Sequence, residues 1–452
     1  MPRRVTRREF LGTAVATATI AGASRSASSA AAKRPNVLFI LADDLGYGDL
    51  SCYGRPDYKT PVLDAFAKQG IKFTDNYAAA PVCTPTRCAY ITGRYPQRLA
   101  VGLEEPLTPS SPQDVGLPPN HPTVASLVKA NGYETALVGK WHLGWKPEFG
   151  PNRHGFDEFF GILSGGSDYF THRASGGRGA GPGGVPDLWE NLAPIERVGY
   201  LTDLLSDKAV EIIGRPRSKP LFLSLQYNAP HAPWEGPEDA AVDHTEHGPG
   251  PMVEGGSAKI YGSMMRSMDA GIGRVLKALE HAKADRDTLV IFTSDNGGER
   301  YSYNWPFSFQ KMYLFEGGTR VPAIVRWTGK IPAGQVTAQA AITMDWTATI
   351  LAVTGTAPDA AYPLDGEDLL PVCMGARAVH DRAFFWRITG FDAARVGRWK
   401  YLKDEEGEHL FDLSTDPGEK ADRRRKEPAI FERVKQQYLA WNAQMLAMPK
   451  PS

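Results

Sequence analysis

An unbroken apolar run, Asn36-Val37-Leu38-Phe39-Ile40-Leu41-Ala42, ends directly in Asp43-Asp44. A run of this length predicts a strand with both faces covered, as in sheets that carry helices on each side. A second apolar run, Leu289–Thr293, is followed after one residue by Asp295-Asn296. In open α/β sheets the functional groups lie beyond the carboxyl ends of the strands, so the two acidic pairs are the first candidates for a site.

Predicted helices and strands alternate around these runs. Helices are expected at about 60–70, 123–130 and 201–213, and over a long stretch with Tyr261, Met264, Met265, Met268, Ile272, Val275 and Leu279 at helical spacing. The last three helices precede strands at Thr135–Val138, Leu221–Leu225 and Leu289–Thr293. This alternation predicts an α/β fold with a large mixed β-sheet flanked by helices.

The pattern changes after about residue 372. Short strands are predicted at Ala383–Ile388, Ala394–Leu402 and His409–Leu413, followed by a helix from about Pro428 to Met445. We therefore expect a main domain over residues 33–372, which carries the site, and a smaller C-terminal α+β subdomain over residues 373–452.

The first 32 residues predict an export signal. The pair Arg7-Arg8 precedes Phe10-Leu11, and the apolar run Thr13–Ala23 is shorter than the roughly 20 residues that span a bilayer. Ala30-Ala31-Ala32 offers a cleavage site. The paired arginines resemble a twin-arginine signal, which is read by the twin-arginine translocase and is not an anchor. This predicts a bacterial protein exported to the periplasm or beyond, without a stable membrane anchor.

Composition excludes some classes of partner and scaffold. The chain of 452 residues has 51 Lys+Arg and 51 Asp+Glu, and removal of residues 1–32 takes away five Arg and one Glu, leaving a net charge of −4. A nucleic-acid-binding protein normally has a strong basic excess, so no nucleic acid is expected as partner. Four Cys are too few for a disulfide-rich scaffold.

The two acidic pairs suggest a metal site. If their strands are neighbours, Asp43, Asp44 and Asp295 bring three carboxylates to one point, and Asn296 adds an amide. Such hard oxygen ligands suit Ca²⁺ or Mg²⁺. We expect no thiol and no clustered His to join them, which argues against zinc. Either pair alone is also typical of a helix cap.

The most specific motif is Cys83-Thr84-Pro85-Thr86-Arg87, continued by Ile91-Thr92-Gly93-Arg94. Pro85 favours a helix that begins just after Cys83, where backbone N–H groups attract anions. Arg87, one turn later, adds a fixed cation. This segment resembles the signature of the sulfatase family, in which the Cys of C-x-P-x-R is oxidised to formylglycine.

Further motifs extend the resemblance from about Arg34 to about Arg423. They are Gly139-Lys140-Trp141-His142-Leu143-Gly144, Asn228-Ala229-Pro230-His231-Ala232-Pro233, and Lys311 five residues before Glu316-Gly317-Gly318. The chain departs from the common pattern at Thr86, where many members have Ser, and at Phe315, where Tyr is common. The resemblance is to arylsulfatase-like, formylglycine-dependent type I sulfatases, and it implies an alkaline-phosphatase-like sheet.

The resemblance also implies roles for the site residues. A formylglycine-generating enzyme would convert Cys83, and the aldehyde hydrate would supply the nucleophilic oxygen. Together with this residue, the two acidic pairs would bind Ca²⁺, with Mg²⁺ as the alternative. Lys140 and Lys311 would neutralise charge on the sulfuryl group, and Arg87 would orient the hydrate.

The two motif histidines would handle protons. By the same resemblance His142 is the base that collapses the sulfated hydrate, and His231 is the acid that protonates the leaving oxygen. Taken alone, His142 would be an ordinary core histidine, His231 a turn residue, and Lys140 a surface Lys with a buried stem.

The implied activity is hydrolysis of a sulfuric ester. The stretch from Gly165 to His172 resembles one that lines the leaving-group side in sugar sulfatases, which favours a carbohydrate sulfate with aryl sulfates as surrogates. The alternatives are a phosphonate monoester or phosphodiester hydrolase of the same superfamily, and a sulfated-glycan-binding protein without catalysis. Beyond Cys83, the residues Cys52, Cys88 and Cys373 allow at most one disulfide.

Overall fold

The structure is a computed structural model that describes residues 34–108, 110–174, 184–239 and 256–449. The predicted export signal lies outside these residues. Contacts group Arg34–Ser452 into one compact unit. Among the described residues, no helix has the length and apolar character needed to cross a membrane.

A ten-stranded mixed sheet forms the centre, in the order β11-β2-β10-β9-β1-β8-β4-β5-β6-β7. Its strands are β1 (Asn36–Ala42), β2 (Ile71–Phe73), β4 (Glu134–Lys140), β5 (Glu158–Ile162), β6 (Trp189–Glu190), β7 (Ala193–Pro194), β8 (Leu221–Gln226), β9 (Thr288–Ser294), β10 (Ala323–Arg326) and β11 (Gln335–Thr337). Strands β9, β1, β8, β4 and β5 are parallel to one another, whereas β10 runs antiparallel to β9. A small sheet pairs β3 (Asn76–Tyr77) with β12 (Ala341–Ile342).

Helices cover both faces of the central sheet. The helices of the described residues are α1 (Pro61–Gln69), α2 (Cys83–Thr92), α3 (Val124–Ala130), α4 (Leu201–Gly214), α5 (Ala258–His281), α6 (Glu316–Thr319), α7 (Thr343–Val353), α8 (Leu370–Cys373) and α9 (Pro428–Asn442). Helix α9 packs on the separate C-terminal sheet. In β1, Leu38 and Ile40 pack into the core cluster that contains residues of α1, α4 and α5, whereas Phe39 packs into the one with residues of α2, α3 and α7. The run is apolar at every position because both faces are buried. The predicted fold class is confirmed.

The C-terminal sheet contains one element that the sequence interpretation got wrong. Its strands, in sheet order, are β13 (Ala383–Ile388), β14 (Phe391–Val396), β15 (Trp399–Asp404) and β16 (Gly407–Asp412). The stretch predicted as one strand, Ala394–Leu402, contains the end of β14, a turn at residues 397–398 and the start of β15, because Gly397 takes a φ of 58° and reverses the chain. This sheet shares a buried cluster with Tyr77 and Met344 of the preceding part. The boundary placed after residue 372 falls inside α8 and stays a prediction.

Candidate active site

The two acidic pairs meet at one edge of the central sheet. Strands β1 and β9 are parallel neighbours in a register that pairs Ala42 with Ser294, so both pairs begin at the same level. The backbone N–H of Asp44 donates to Asp295 Oδ1 at 3.2 Å, and Asn296 Nδ2 donates to Asp44 Oδ1 at 2.7 Å. The expected convergence is confirmed.

Cys83 opens α2 beside this edge and is buried. One ligand atom from each of Asp43, Asp44, Cys83 and His231 lies within 4.8 Å of the others. The expectation that neither a thiol nor a histidine joins the carboxylates is therefore wrong. Strand β8 is the neighbour of β1 in the sheet. The turn after β8 therefore brings His231 close to Asp44.

Two lysines neutralise the first acidic pair. Lys140, at the end of β4, donates from Nζ to Asp43 Oδ2 at 2.5 Å, and both side chains are fully buried. Lys311 donates from Nζ to Asp44 Oδ2 at 2.6 Å. Glu299, which the sequence interpretation missed, lies 3.6 Å from Lys311 Nζ.

Arg87 is buried, and its guanidinium donates hydrogen bonds to three protein groups. Its Nη2 and Nε donate to Asp295 Oδ2 at 2.8 and 3.1 Å, and its Nη1 donates to Gln226 Oε1 at 2.8 Å and to the Lys140 carbonyl at 3.0 Å. Arg87 therefore fixes the position of Asp295. Gln226 was missed by the sequence interpretation, although its place at the end of a buried strand was the available signal.

His142 presents an unshared lone pair. Its Nε2 lies 2.7 Å from the carbonyl oxygen of Leu107, and because a carbonyl only accepts, Nε2 carries the proton. Its Nδ1 is buried without a partner. Burial, assisted by the positive charge of Lys140, lowers the pKa of His142 well below its usual value. A Cβ on Gly165 would lie 2.6 Å from this ring, so the position needs glycine.

His231 is also neutral. Its Nδ1 donates to the carbonyl of Ala232, which leaves Nε2 as an acceptor 3.6 Å from Asp44 Oδ2. Burial lowers the pKa of His231 to about 3, because the opposing charge of Asp44 does not compensate. The hydroxyl of buried Tyr169 donates to the carbonyls of Asn228 and His231 and so holds this turn.

The buried acidic side chains and the Cys83 thiol have pKa values that are shifted in different directions. The pKa of Asp44 is held below its usual range, since Lys311 and His231 outweigh the effect of burial. Burial and the charge of Asp43 raise the pKa of Asp295 to about 7. Burial raises the pKa of the Cys83 thiol to about 12, so an unmodified Cys83 stays protonated at neutral pH.

The donor set fits a divalent cation. Asp43 Oδ1 and Asn296 Oδ1 are buried oxygens without a hydrogen-bond partner, and an unsatisfied buried acceptor is costly. Burial and the charge of Asp43 raise the pKa of Asp295, and a cation bound beside it would favour its ionised form. The oxygens suit Ca²⁺ or Mg²⁺, and His231 adds a nitrogen donor to the cluster.

Two other sequence features support the fold around this cluster and add no charged side chain to it. In the stretch expected to line the leaving-group side, Ser167, Tyr169 and His172 are buried and hydrogen-bond to backbone carbonyls. Glu316 of the Glu-Gly-Gly motif pairs with Lys400 of β15 at 2.9 Å. All four cysteines are free, in agreement with the absence of a disulfide framework.

Comparison with known proteins gives consistent matches. The family model described as Sulfatase matches residues 35–356. N-acetylgalactosamine-6-sulfatase of Canis lupus familiaris is 34% identical over 82% of this chain and 72% of the relative. Arylsulfatase A of Homo sapiens is 34% identical over 87% of this chain and 79% of the relative. The crystal structure of Ps i-CgsB in complex with k-i-k-neocarrahexaose superposes with a TM-score of 0.81 at 30% identity, covering 92% of this chain and 94% of that chain.

Proposed function

Because the chain belongs to the sulfatase family and is a hydrolase of sulfate esters, we propose that it releases inorganic sulfate from a sulfated carbohydrate through a formylglycine made from Cys83. The observation that carries this proposal is the place of Cys83 at the start of α2, within 4.8 Å of ligand atoms of Asp43, Asp44 and His231. Its neighbours form an anion pocket, and its buried thiol is inert as it stands.

Conversion of Cys83 replaces this inert group. As a hydrated aldehyde it supplies a nucleophilic oxygen and releases sulfate by reforming its carbonyl, whereas a simple alcohol would leave a second ester to hydrolyse. The surroundings suit a sulfated hydrate at position 83, because Lys140 and Lys311 are held beside the site by hydrogen bonds to Asp43 and Asp44. Their ammonium groups are placed to stabilise the negative charge on the sulfuryl oxygens.

The histidines divide the proton transfers. His142, with its buried unprotonated Nδ1, is in the state needed for a base. His231 must gain a proton at Nε2 before it can protonate the leaving oxygen, because its pKa of about 3 leaves it neutral. Binding of a sulfate anion beside it raises that pKa, so the substrate itself prepares the acid.

A metal ion would be held by Asp43, Asp44, Asp295 and Asn296. We propose Ca²⁺, with Mg²⁺ as the alternative. When bound, the ion polarises a sulfate oxygen and the hydrate hydroxyl. The chain prepares the site through Arg87, which orients Asp295, and through the two lysines, which donate hydrogen bonds to Asp43 and Asp44.

The carbohydrate substrate is supported by the relatives. One acts on N-acetylgalactosamine 6-sulfate by its name, and the structure with a TM-score of 0.81 holds a carrageenan oligosaccharide. The relatives cited above are sulfatases, which favours sulfate over the phosphonate or phosphodiester alternative. The filled set of proton-transfer residues argues against a silent glycan-binding protein.

Mass spectrometry of the peptide that contains Cys83, from a host with a formylglycine-generating enzyme, tests the proposal. We expect the aldehyde at position 83 and faster turnover of nitrophenyl sulfate than of a phosphonate monoester. Full activity with an unmodified thiol would contradict the mechanism. Faster phosphonate turnover would favour the alternative hydrolase.

Chelation tests the metal. The treated protein should lose activity and unfold at a lower temperature, because a ligand that binds only the folded state at 100 times its Kd adds about 2.7 kcal/mol of stability. Ca²⁺ should restore both properties better than Zn²⁺. Stoichiometric zinc in the purified protein, or an unfolding temperature that ignores Ca²⁺, would contradict the assignment.

Export through the twin-arginine route is part of the proposal. This route carries folded proteins, whereas residues 83–87 are buried after folding, so modification of Cys83 precedes export. Exchange of Arg7 and Arg8 for Lys should trap precursor that already contains formylglycine. Trapped precursor with wholly unmodified Cys83, in a cell with an active modifying enzyme, would refute this order.

A further inference from the structure

A segment next to the acidic edge exposes large apolar side chains. Residues 299–313 follow Asn296 and contain Lys311. Trp305 is 63% exposed, Phe309 52% and Met312 42%. We name as the apolar rim these three residues and the partly buried Tyr303 and Tyr313.

The rim is attached to the loops that carry the site. The Met312 N–H donates at 2.9 Å to the carbonyl of Pro81, two residues before Cys83. The carbonyl of Tyr303 accepts at 2.7 Å from the N–H of Gly48, which lies four residues after Asp44. Phe309 and Met312 lie on either side of Lys311 in the chain. Because neighbouring Cα atoms are about 3.8 Å apart, the Cα atoms of both residues lie within about 8 Å of the Lys311 Cα.

The backbone of the rim is strained. Phe309 has a φ of 61° and Met312 a φ of 74°. Left-handed backbone costs a residue with a bulky side chain roughly 1–2 kcal/mol and is usually taken by glycine. About half of each side chain stays exposed, so burial explains only part of why strained positions carry bulky apolar residues. Strain of this kind concentrates at functional sites.

The rim rings are held in place before any ligand binds. Phe309 stacks on Phe315 with ring centroids 4.1 Å apart and planes 30° apart. Trp305 lies over Tyr303 with centroids 6.3 Å apart at 21°. Side chains that are already ordered lose little entropy on binding. The chemistry that fits flat, exposed apolar faces beside an anion pocket is a sugar ring, whose C–H face is apolar while its hydroxyls stay in water.

We propose that the apolar rim binds the sugar residues adjacent to the sulfated one, so that the preferred substrate is a sulfated oligosaccharide or polysaccharide and not a free monosaccharide. This rests on the proposed function, because the sulfated residue must occupy the pocket at Cys83. The rim extends that pocket so that it also contacts neighbouring sugar residues of the glycan. It therefore gives a preference for longer glycans.

The test compares three substrates for each variant: nitrophenyl sulfate, a monosaccharide sulfate, and a hexasaccharide of the same sugar from carrageenan or chondroitin 6-sulfate. The wild type should prefer at least one hexasaccharide to its monosaccharide. Trp305→Ala and Phe309→Ala should lower kcat/KM on that hexasaccharide about tenfold, as expected for the loss of one aromatic contact. Turnover of the two small substrates should change less than twofold.

Matched variants separate contact from folding. Met312→Gly removes the side chain and relieves the backbone, so it should lose hexasaccharide turnover without a lower unfolding temperature. Val379→Ala and Leu439→Ala change side chains that are 55% and 44% exposed outside the rim and should leave all three substrates unaffected.

Several outcomes would overturn the proposed role of the apolar rim. In the first, the wild type cleaves nitrophenyl sulfate but prefers no hexasaccharide to its monosaccharide. In the second, the rim variants lose turnover of all three substrates equally. In the third, the rim variants change only the oligomeric mass measured by light scattering. The last would make the rim a contact between copies of the chain. A wild type that cleaves no sulfate at all would instead refute the proposed function, and the rim with it.

Discussion

Two largely buried clusters have the same number of acidic and basic side chains and different purposes. The catalytic cluster has three carboxylates and three cations, Asp43, Asp44, Asp295, Arg87, Lys140 and Lys311. The C-terminal cluster, between the main part and the C-terminal sheet, also has three of each, Asp75, Glu316, Glu419, Arg320, Arg395 and Lys400. In each, burial raises the pKa of one carboxyl group to about 7, that of Asp295 and that of Glu419.

The clusters differ in what else faces them. In the C-terminal cluster, Lys400 bridges Glu316 and Glu419 at 2.9 and 2.7 Å, and the Tyr77 hydroxyl donates to Glu316. The catalytic cluster instead meets the thiol of Cys83 and two neutral imidazoles, those of His142 and His231. Charge balance therefore does not distinguish a reactive site from a structural one, whereas the thiol and imidazole groups that face the charges do.

The largest effect should come from Cys83→Ala. Turnover should fall at least about a thousandfold, as when the nucleophile of another hydrolase is removed. The unfolding temperature should stay near that of the wild type, since a small side chain at a helix start alters little packing. Cys88→Ala, which removes a buried thiol from the same helix, is the control and should keep activity. Comparable losses in both variants would remove Cys83 from its special role.

Lys400→Met should break the C-terminal cluster without touching the chemistry. Lys400 is the cation that bridges Glu316 and Glu419, and removal of one partner of a buried ion pair should cost about 3–5 kcal/mol in the free energy of unfolding, measured with urea. The activity of the folded fraction should remain. Lys403→Met, an exposed lysine on the same strand, should change stability by less than about 0.5 kcal/mol. Lost activity with unchanged stability would reverse the assignment of the two clusters.

Lys311→Ala should show the opposite pattern. Loss of one preorganised charge at the sulfuryl group should raise the activation free energy by about 2–4 kcal/mol, measured as kcat/KM on nitrophenyl sulfate. Its effect on unfolding should be smaller than that of Lys400→Met. Lys330→Ala, at an exposed lysine, is the matched control. Near-wild-type kcat/KM in Lys311→Ala would rule out the role in sulfate binding.

Much of the catalytic cluster could be predicted from the sequence because it is built from strand ends. The acidic pairs after β1 and β9 meet since those strands are neighbours, and Cys83 begins a helix as Pro85 indicated. His231 was placed at the active site only through the family resemblance and was not expected beside the carboxylates, because its position depends on the turn after β8. The C-terminal cluster escaped entirely, since its partners come from segments up to about 340 residues apart in sequence.

The pH dependence of stability gives the smallest effect. Burial, with the charge of Glu316, raises the pKa of Glu419 to about 7 from its usual 4.5, although Lys400 opposes this. Between these values the folded state holds a proton that the unfolded chain has released, so this contribution is full below pH 4.5 and is lost as pH rises through 7. In urea unfolding, wild type should therefore lose about 1–3 kcal/mol relative to Glu419→Gln between pH 5 and pH 8. Asp295 titrates in both proteins and cancels in the difference, so parallel pH profiles would show that Glu419 is ionised in the folded protein throughout this range.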